Sequence, residues 1–456
     1  MIIFTLILGL GLRLISLNQS FWIDEATSAS TIKMSLAQFF GKFMPGDFHP
    51  PLYYLTARVW SMFFGTSEIA LRSLSVLFGI LTIYVVYLIG KEINKQSLSL
   101  RDKNVGIIAS ILLATSGLHI YYSQEARMYS MSTFLVTLAI YFFIHLRQGY
   151  GGQVKIWIGY AITLGLIGAT DYLPLLILPI FWIYGVLSKQ KFTWFKKLFM
   201  SHIILFLFAI LWMPTFLKQL SSGLNVVNHS PAWVSVLGKF SIKDILLIPV
   251  KFGIGRVGFD NKFIYGFVVL IVFSIFGYLL FKGLRLIFVQ RTTSLWLGLW
   301  LIVPLILALI ISLKFPVLNY FRFLFVLPAL YLILASGKKK LVILVVVINL
   351  ITSFMYLTNI RFQREDWRGF SKFIGNNPVI FPADSQKEAF LYYNSNANIL
   401  NVNDLNNMKN VWLMRYAQPI SDPSDSTRMK IENLGYIKTN EYDFNGVTVF
   451  KYAKSN

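Results

Sequence analysis

The stretch SLWLGLWLIVPLILALIISL, residues 294–313, decides the fold class, because it contains no charged side chain over the length of a membrane-spanning helix. A hydrocarbon core about 30 Å thick needs roughly 20 apolar residues of helix. Similar runs recur from Met1 to Asn359, and the whole chain is 56% hydrophobic and only 14% charged, whereas soluble domains carry about 25% charged residues. The sequence therefore predicts a mainly α, polytopic helical membrane protein with about eleven transmembrane helices. Their expected limits are 1–17, 69–90, 105–121, 129–146, 156–170, 172–187, 200–217, 263–284, 294–313, 319–335 and 341–358.

The segment from Arg361 to Asn456 differs because it is mixed, polar and free of long apolar runs. We therefore predict a transmembrane domain at 1–360 and a small soluble α/β domain at 361–456. Within the second domain we expect helices at 366–374 and 385–392, the latter with a capping box formed by Ser385 and Glu388. We also expect strands at 378–381, 411–414 and 447–452, and a turn at Asn445-Gly446.

The formal charge of +22 is spread between the apolar runs. It forms no basic patch beside a reading motif, so we exclude nucleic acid as a partner and expect contact with anionic membrane lipids instead. The chain contains no cysteine, which excludes disulfides, thiolate chemistry and cysteine metal sites. Residues 1–17 are expected to be a retained first helix, since no small-residue cleavage site follows them.

Basic clusters follow the second, fourth, sixth, eighth and tenth predicted spans, so they share one side of the membrane if the spans alternate. The positive-inside rule makes that side cytoplasmic. The prediction is a cell-membrane, multi-pass protein with a cytoplasmic N-terminus and an extracytoplasmic C-terminal domain. The loops at 18–68, 121–128 and 218–262 are then extracytoplasmic. The clusters are Lys91, Lys95, Arg101 and Lys103; Arg147 and Lys155; Lys189, Lys191, Lys196 and Lys197; Lys282, Arg285 and Arg291; and Lys338, Lys339 and Lys340.

Acidic residues stand directly after the first span, in Phe21-Trp22-Ile23-Asp24-Glu25-Ala26. Charges at the apolar boundary are costly unless they are paired or solvated. Carboxylates here suit a general base, a metal ligand or a site for a cationic substrate. The alternative interpretation is a solvated helix end.

A second segment, Asp47-Phe48-His49-Pro50-Pro51-Leu52-Tyr53-Tyr54, brings a histidine next to paired prolines. His49 is a candidate phosphate donor or metal ligand; the alternative is a loop turn fixed by the prolines. The short second outer loop confines Glu125 and Arg127 between two spans. Arg127 suits a bidentate lipid-phosphate contact, and the alternative is a local ion pair beside an aromatic belt. Arg322, at the start of the tenth span, is either a phosphate clamp or a snorkelling anchor.

The order of these motifs resembles the GT-C membrane glycosyltransferases. The motifs that carry the resemblance are Trp22-Ile23-Asp24-Glu25-Ala26, His49-Pro50-Pro51-Leu52-Tyr53, Arg72 with Ser75-Val76-Leu77-Phe78-Gly79, and Gln124-Glu125-Ala126-Arg127-Met128-Tyr129, followed by Arg322, Pro328 and Glu365-Asp366-Trp367-Arg368. The most similar branch is the protein-mannosyltransferase and aminoarabinose-transferase type, which includes RgtA/B/C/D-like proteins. That branch often has a lysine before its paired prolines, whereas this chain has His49.

The resemblance implies transfer of a sugar, with inversion, from a polyprenyl-phosphate donor to a lipid, glycan or protein acceptor on the extracytoplasmic face. It implies Asp24 as the first candidate for base or acceptor positioning, then Glu25, with Glu125 as the acid of the second loop. The expected substrate-binding residues are Asp47, His49, Tyr53, Arg127 and Arg322. A divalent cation (Mg, Mn or Zn) is used by some relatives, and Asp24, Glu125 and His49 are its candidate ligands here.

Two other classes of function compete with a transferase. A transporter or flippase of lipid-linked substrates predicts ionisable residues near the bilayer midplane and broken helices in matched halves. A non-catalytic membrane assembly protein would keep its function without Asp24 and Glu25. Most strongly polar residues stand at predicted span ends, which favours the enzyme.

Overall fold

The computed structural model describes residues 1–96, 104–147, 154–229, 231–238, 240–289, 295–405 and 408–455. Arg101, Lys103 and Arg291, which contribute to the orientation prediction, lie outside these ranges. The chain is mainly helical up to residue 374, and a small sheet follows, as the sequence predicted.

The helices of the first part surround one large apolar core. They are α1 (Ile2–Leu14), α2 (Ile23–Lys33), α3 (Leu36–Gln38), α4 (Met44–Gly46), α5 (Leu52–Phe64), α6 (Glu68–Gln96), α7 (Val105–Thr115), α8 (Gly117–Ser123), α9 (Tyr129–Arg147), α10 (Val154–Thr170), α11 (Leu178–Leu187), α12 (Phe192–Ser201), α13 (Ile203–His229), α14 (Pro231–Leu237), α15 (Ile242–Ile254), α16 (Lys262–Val289), α17 (Leu295–Ser312), α18 (Leu327–Ala335) and α19 (Lys339–Thr358). A π-helical turn at Phe39–Phe43 and 3₁₀ turns at Leu173–Ile177, Tyr320–Val326 and Ile360–Phe362 complete this part.

Apolar helices coincide with all the predicted spans. Among the described residues, six helices are long and apolar enough to cross a membrane, or seven if α7 and α8 form one span bent by 64°. Shorter apolar helices lie at Ile2–Leu14, Val154–Thr170, Leu173–Leu187 and Tyr320–Ala335. Membrane residence follows from these helices, whereas the prediction of eleven full crossings stays a prediction.

The bend between α7 and α8 lies at Ser116, and Arg13 of α1 stabilises it. The buried Arg13 guanidinium donates to the carbonyls of Ala114 and Leu113, at 3.1 and 3.4 Å, and its Nη2 lies 2.6 Å from His119 Nδ1. A broken helix leaves carbonyls that need donors, and in an apolar interior each missing partner is costly. Arg13 therefore fixes the direction in which α8 delivers the loop at 124–128.

The first long outer loop folds into α2 to α5 on top of the helical bundle. Within this loop, the segment at 35–43 begins with a capping box between Ser35 and Gln38. Its Phe39 is buried and packs on Tyr54 of α5, with ring centroids 6.1 Å apart. The loop thus covers the outer ends of the bundle instead of extending into water.

The C-terminal part contains a five-stranded sheet of order β2-β1-β3-β5-β4. Its elements are α20 (Trp367–Ile374), β1 (Val379–Ile380), a 3₁₀ turn (Asp384–Gln386), α21 (Lys387–Tyr393), β2 (Ile399–Leu400), a 3₁₀ turn (Val402–Asp404), β3 (Asn410–Met414), α22 (Gln418–Ser421), α23 (Ser426–Asn433), β4 (Tyr436–Phe444) and β5 (Val447–Lys454). Strands β2, β1 and β3 are parallel, and β3-β5 and β5-β4 are antiparallel. The predicted turn at Asn445-Gly446 is confirmed, with φ values of 50° and 97°. The predicted capping box at Ser385 is wrong, because α21 begins at Lys387 without a side-chain cap.

The C-terminal part packs against the first outer loop. Phe21, Ala26 and Ala29 share an apolar core with Trp367, Phe370 and Phe390. Hydrogen bonds reinforce this contact: the Tyr392 hydroxyl donates to the Thr66 carbonyl at 2.9 Å, and the Tyr393 hydroxyl donates to Glu68 at 2.7 Å. The boundary at residue 360 remains a prediction, but the segment beyond it is packed closely on α2.

Candidate active site

A buried ion pair joins the first outer loop to α6. Arg72 donates from Nε to Glu25 Oε1 at 2.8 Å and from Nη2 to Glu25 Oε2 at 2.6 Å. Neither side chain is exposed to solvent. Arg72 also donates to the carbonyls of Leu17 and Ser20 at 2.9 and 3.0 Å. Bidentate pairing of this kind fixes orientation as well as charge. Burial alone would raise the pKa of Glu25, but Arg72 and then Arg364 outweigh it and lower that pKa.

Arg364 continues this pair into a chain of alternating charges. Its Nε lies 3.2 Å from Glu25 Oε2, and its Nη2 donates to Glu125 Oε2 at 3.4 Å. The side chain is 0% exposed and stacks on the Tyr121 ring, 4.4 Å from its centroid. Its Nη2 also donates to the Tyr121 carbonyl, and its Nη1 donates to the Tyr356 hydroxyl, both at 3.3 Å. Ion pairs in the order Arg72, Glu25, Arg364, Glu125 thus connect α6 to the second outer loop.

The backbone of the second outer loop is clamped from several sides. Ala126 N–H donates to Glu25 Oε1 at 2.7 Å, and Arg127 N–H donates to the Glu125 carbonyl at 2.8 Å. The Gln124 amide donates to the Ile15 carbonyl at 2.7 Å and accepts from the Tyr356 hydroxyl at 2.8 Å. Because the loop has no helix or strand of its own at 124–128, these contacts set the positions of its side chains.

Glu125 is a buried carboxyl group in a mixed electrostatic environment. Burial raises its pKa to about 7, with Arg364 opposing the rise and Glu25 adding to it. Its Oε1 atom is buried and has no hydrogen-bond partner among the described residues. A carboxyl that is about half ionised near neutral pH suits proton transfer, and perturbed groups of this kind concentrate at functional sites.

Asp24 is the accessible acid of the site. Its side chain is 42% exposed, whereas that of the adjacent Glu25 is 0% exposed. Arg127 Nη2 lies 3.8 Å from Asp24 Oδ2, and Arg127 Nη1 donates to the Tyr54 hydroxyl at 3.1 Å. The pKa of Arg127 is raised, because Tyr54 and Asp24 outweigh its burial. Asp24 therefore faces an open space and stays beside a permanent cation.

The predicted residues Asp47 and His49 lie on the same side of the bundle. Asp47 interacts electrostatically with Arg127 and Tyr54, and its buried Oδ2 accepts no hydrogen bond in the described structure. His49 Nδ1 lies 3.8 Å from Asp171 Oδ1. The arrangement leaves His49 facing a carboxylate rather than the Asp24 and Glu125 pair.

Arg322 and Tyr53 occupy different environments. Arg322 donates to the Pro316 carbonyl at 3.2 Å and lines a cavity of about 190 Å³ with Phe48 and Phe216. It interacts electrostatically with Tyr129. Tyr129 also interacts electrostatically with Asp24, Glu125 and Arg127. Tyr53 is buried, with its hydroxyl 3.4 Å from Ser75 Oγ. Arg322 therefore borders an open cavity, and Tyr53 supports the packing behind the site.

A further pair of cations lies beside α8. Arg256 donates to the Tyr320 hydroxyl at 2.7 Å and stacks 4.8 Å from the centroid of the Tyr121 ring. Tyr121 thus contacts two guanidinium groups, those of Arg256 and Arg364. Burial, then Arg256, lowers the pKa of Lys251 to about 8. The short loop that holds Arg256 approaches α8 closely: a Cβ on Gly255 would stand 3.1 Å from the Gly117 carbonyl carbon.

The predicted metal ligands do not form one donor set. Glu125 Oε2 faces Arg364, Asp24 faces Arg127, and His49 faces Asp171. Within the described ranges, no group of three or more His, Asp or Glu side chains could hold a metal ion. The divalent cation stays a prediction, and the residues as arranged do not fit it.

Arg364 is the functional residue that sequence reasoning missed. It stands one position before the motif Glu365-Asp366-Trp367-Arg368, within the segment 361–456 that was predicted as the soluble α/β domain. Its partners Glu25 and Glu125 lie hundreds of residues earlier, so local pattern could not pair them. One sequence signal could have indicated it. Arg364 lies close to the end of the last apolar run, where a charged side chain is energetically costly unless it is paired or solvated.

A family model matches part of the helical region that holds these acids and arginines. The family model for the N-terminal domain of the protein O-mannosyl-transferase TMEM260 matches residues 45–194. No curated protein matches the chain at the sequence level.

Solved structures share the fold over almost the whole chain. ArnT from Cupriavidus metallidurans aligns in the apo state with a TM-score of 0.58 and 12% identity, covering 98% of this chain and 97% of that one. The same protein bound to undecaprenyl phosphate gives 0.59 and 10%, with the same coverage. The oligosaccharyltransferase AglB from Archaeoglobus fulgidus, in complex with an inhibitory peptide and a dolichol-phosphate, gives 0.53 and 12%, covering 100% of this chain and 74% of that one. At the level of the fold, the resemblance to the GT-C membrane glycosyltransferases is thereby confirmed.

Proposed function

We propose that the chain is a membrane glycosyltransferase that moves a sugar from a polyprenyl-phosphate donor to a lipid, glycan or protein acceptor on the extracytoplasmic face, with inversion at the anomeric carbon. The observation that carries the proposal is Asp24, a half-exposed carboxylate beside Arg127, close to the buried carboxyl of Glu125. The neighbours bound to undecaprenyl phosphate and dolichol-phosphate support the class of donor.

In the proposed reaction, an acceptor hydroxyl attacks the anomeric carbon of the sugar from the face opposite the phosphate. The bond from that carbon to the phosphate oxygen breaks, and the polyprenyl phosphate leaves with the electron pair. The hydroxyl proton passes to the Asp24 carboxylate. A general base supplies typically 10²–10⁴-fold in rate when it lies within hydrogen-bond reach. The exposure of Asp24 is what an incoming acceptor requires.

Cations around the site would hold the departing phosphate. Arg322 borders the cavity of about 190 Å³, and Arg256 lies beside Tyr121 and Tyr320. Fixed positive charges in a partly dry site stabilise developing negative charge without reorganisation. We assign Arg127 to the acceptor side, because it already pairs with Asp24.

Glu25 and Glu125 receive different roles in this proposal. Glu25 is fully buried and bound by two arginines, so we propose that it positions the second outer loop through Ala126. Glu125 has one oxygen without a partner, which makes it the candidate for holding or passing a second proton. Asp47 would line the approach to Arg127, with which it interacts electrostatically, and His49, paired with Asp171, remains a proposed substrate contact.

Apolar space for a lipid chain is available next to the site. A cavity of about 370 Å³ lies between α15, α16, α17 and α18, and its lining, which includes Phe252, Phe276 and Leu330, has no charged side chain. A cavity with hydrophobic walls favours a hydrocarbon chain through burial of apolar surface. This cavity supports the lipid-linked class of donor.

The test is transfer of a radiolabelled sugar from synthetic polyprenyl-phosphate donors by purified protein in lipid. Asp24→Asn is expected to lower turnover by at least about 100-fold, since the general base is lost. Asp260→Asn is the matched control, because Asp260 is a largely exposed aspartate of another outer loop. We expect it to leave turnover unchanged.

Two outcomes would contradict the proposal. The first is folded wild-type protein that consumes no donor across hexose, pentose and uronic-acid donors, which would favour a transporter or assembly protein. The second is normal turnover by Asp24→Asn, which would leave the class of enzyme standing but remove Asp24 as the base.

A further inference from the structure

The C-terminal segment does more than cover the outer face, because one of its residues enters the buried site. Arg364 lies two residues after the 3₁₀ turn Ile360–Phe362 and three before α20. Its backbone N–H donates to the Gln19 side-chain oxygen at 3.0 Å, which ties it to the first outer loop. The side chain then extends between Glu25 and Glu125 and is 0% exposed.

We propose that Arg364 is a positioning residue: when the C-terminal segment is docked, its guanidinium holds the Glu125 carboxyl in place beside Glu25. The inference rests on the proposed function for the role of Glu125 in the reaction. Its geometric basis does not depend on that role. Arg364 is within 3.2 Å of Glu25 Oε2 and 3.4 Å of Glu125 Oε2. One planar guanidinium therefore faces two carboxylates from different loops.

The charge count around Glu125 explains why Arg364 matters. The cations that face Glu125 are Arg364 and Arg127, and the anions are Glu25 and Asp24. Arg364 pairs with both carboxylates, but Glu25 also pairs with Arg72, so removal of Arg364 leaves Glu25 paired and Glu125 without an ion pair among the described residues. Four neutral phenols also interact electrostatically with Glu125: Tyr53, Tyr121, Tyr122 and Tyr129. Removing Arg364 leaves Arg127 as the remaining cation there, and Arg127 is shared with Asp24.

The surrounding contacts hold Arg364 in one orientation. Its guanidinium stacks on Tyr121, donates to Tyr356 of α19 and to the Tyr121 carbonyl, and so cannot swing towards water. These anchors belong to the membrane-embedded helices. The docking of the C-terminal segment through Trp367 and Phe370 fixes the other end of the same short stretch. Displacement of that segment would withdraw Arg364 from both carboxylates at once.

The test measures protonation of Glu125 directly, without turnover. Infrared difference spectra of the full-length protein in lipid are recorded against pH, and the Glu125 carbonyl band is identified by its loss in Glu125→Gln. The wild-type midpoint is expected near 7. An opposite charge within about 4–6 Å lowers a carboxyl pKa by about 1–3 units, so in Arg364→Gln we expect the midpoint to rise by about that amount. Arg364→Lys retains the charge and should give a smaller rise.

The matched control is Arg361→Gln. Arg361 lies in the same stretch between α19 and α20 and also pairs with a carboxylate, that of Asp260, but its side chain is 53% exposed. The protonation midpoint of Glu125 in Arg361→Gln should equal that in the wild type. A merely structural role for Arg364 would reduce the yield of folded protein without moving the midpoint.

The pH–rate profile of donor consumption is the second readout. Whether Glu125 acts as an acid or as a base, its limb of the profile should move to higher pH in Arg364→Gln. If the wild type consumes no donor, the proposed function fails while the infrared midpoint still decides the role of Arg364. A midpoint in folded Arg364→Gln equal to that of the wild type would overturn the inference. If Arg364→Gln does not fold, an unchanged midpoint in Arg364→Lys does so, because its ammonium lacks the fork that reaches both carboxylates.

Discussion

Replacing Glu25 by glutamine tests whether this acid supports the structure or the reaction. The substitution keeps the shape of the side chain and one oxygen for the Ala126 N–H, but it removes the charge that two buried arginines face. Arg72 cannot turn away, because it is also bound to the carbonyls of Leu17 and Ser20. The change therefore leaves the positive charges of Arg72 and Arg364 without the Glu25 carboxylate in a site that solvent does not reach.

The expected loss of stability follows from the contacts of Glu25. Arg72 makes two charge-assisted hydrogen bonds to it, at 2.8 and 2.6 Å, and Arg364 lies 3.2 Å away. Charged hydrogen bonds contribute about 1.5–3 kcal/mol each, which gives an upper range of about 3–6 kcal/mol for the two from Arg72. Removing one partner of a buried pair costs about 3–5 kcal/mol after relaxation. We expect a loss of about 3–5 kcal/mol for Glu25→Gln.

The assay is thermal unfolding of purified protein in detergent, with Asp24→Asn as the comparison. The half-exposed Asp24 is expected to cost less than about 1 kcal/mol, as exposed pairs do. Glu25→Gln should thus lower the unfolding temperature strongly while Asp24→Asn leaves it near that of the wild type. The reasoning is refuted if Glu25→Gln unfolds within a degree of the wild type and yet loses turnover, since Glu25 would then act in the chemistry.

Three further substitutions test other parts of the structure. Gly90→Val should abolish folded protein, because a Cβ there would stand 2.3 Å from the Gly106 Cα, whereas Gly266→Val, which meets nothing within 4 Å, should be tolerated; expression and unfolding measurements compare them. Burial raises the pKa of Glu125 from 4.5 to about 7, so the folded state holds the proton more tightly and stability should fall as pH rises between those values; Glu125→Gln should remove that slope in unfolding measured against pH. Arg322→Met should raise the donor KM by about tenfold or more with folding retained, and an unchanged KM would exclude a phosphate contact.

The apolar helices could be predicted from the sequence because their signal is local. Each run is long enough to satisfy its own backbone in lipid, and nothing distant is needed to recognise it. The same holds for the turn at Asn445-Gly446, where both residues take positive φ. Strand β4, by contrast, was not predicted, because most of Tyr436–Phe444 is exposed and its polar sequence carries no apolar face.

The site was predicted at the level of loops, but the distinct roles of its acids were not. Asp24 and Glu25 are adjacent on α2, and consecutive helical residues point about 100° apart. One therefore faces Arg72 and the other faces open space. Whether Asp24 or Glu25 points into the interior depends on how α2 packs on α6 and on the C-terminal core. The residues next to them in the sequence do not predict that packing.

The bend at Ser116 shows the same limit. The sequence predicted one span at 105–121 and no break within it. The break needs donors for freed carbonyls, and Arg13, about a hundred residues earlier, supplies them. Long-range polar contacts of this kind decide local geometry, and the hydrophobic pattern does not reveal them.

The separation of 239 residues between Glu125 and Arg364 also has a consequence for biogenesis. At about 5–20 residues per second, a ribosome needs roughly 12–48 s to travel from one to the other. During that interval the nascent chain carries the loop at 124–128 without the arginine that pairs with its Glu125. The buried site is therefore complete only after α19 has been synthesised and the C-terminal segment has begun to dock, and a chain interrupted before that point lacks the residue that joins Glu25 to Glu125.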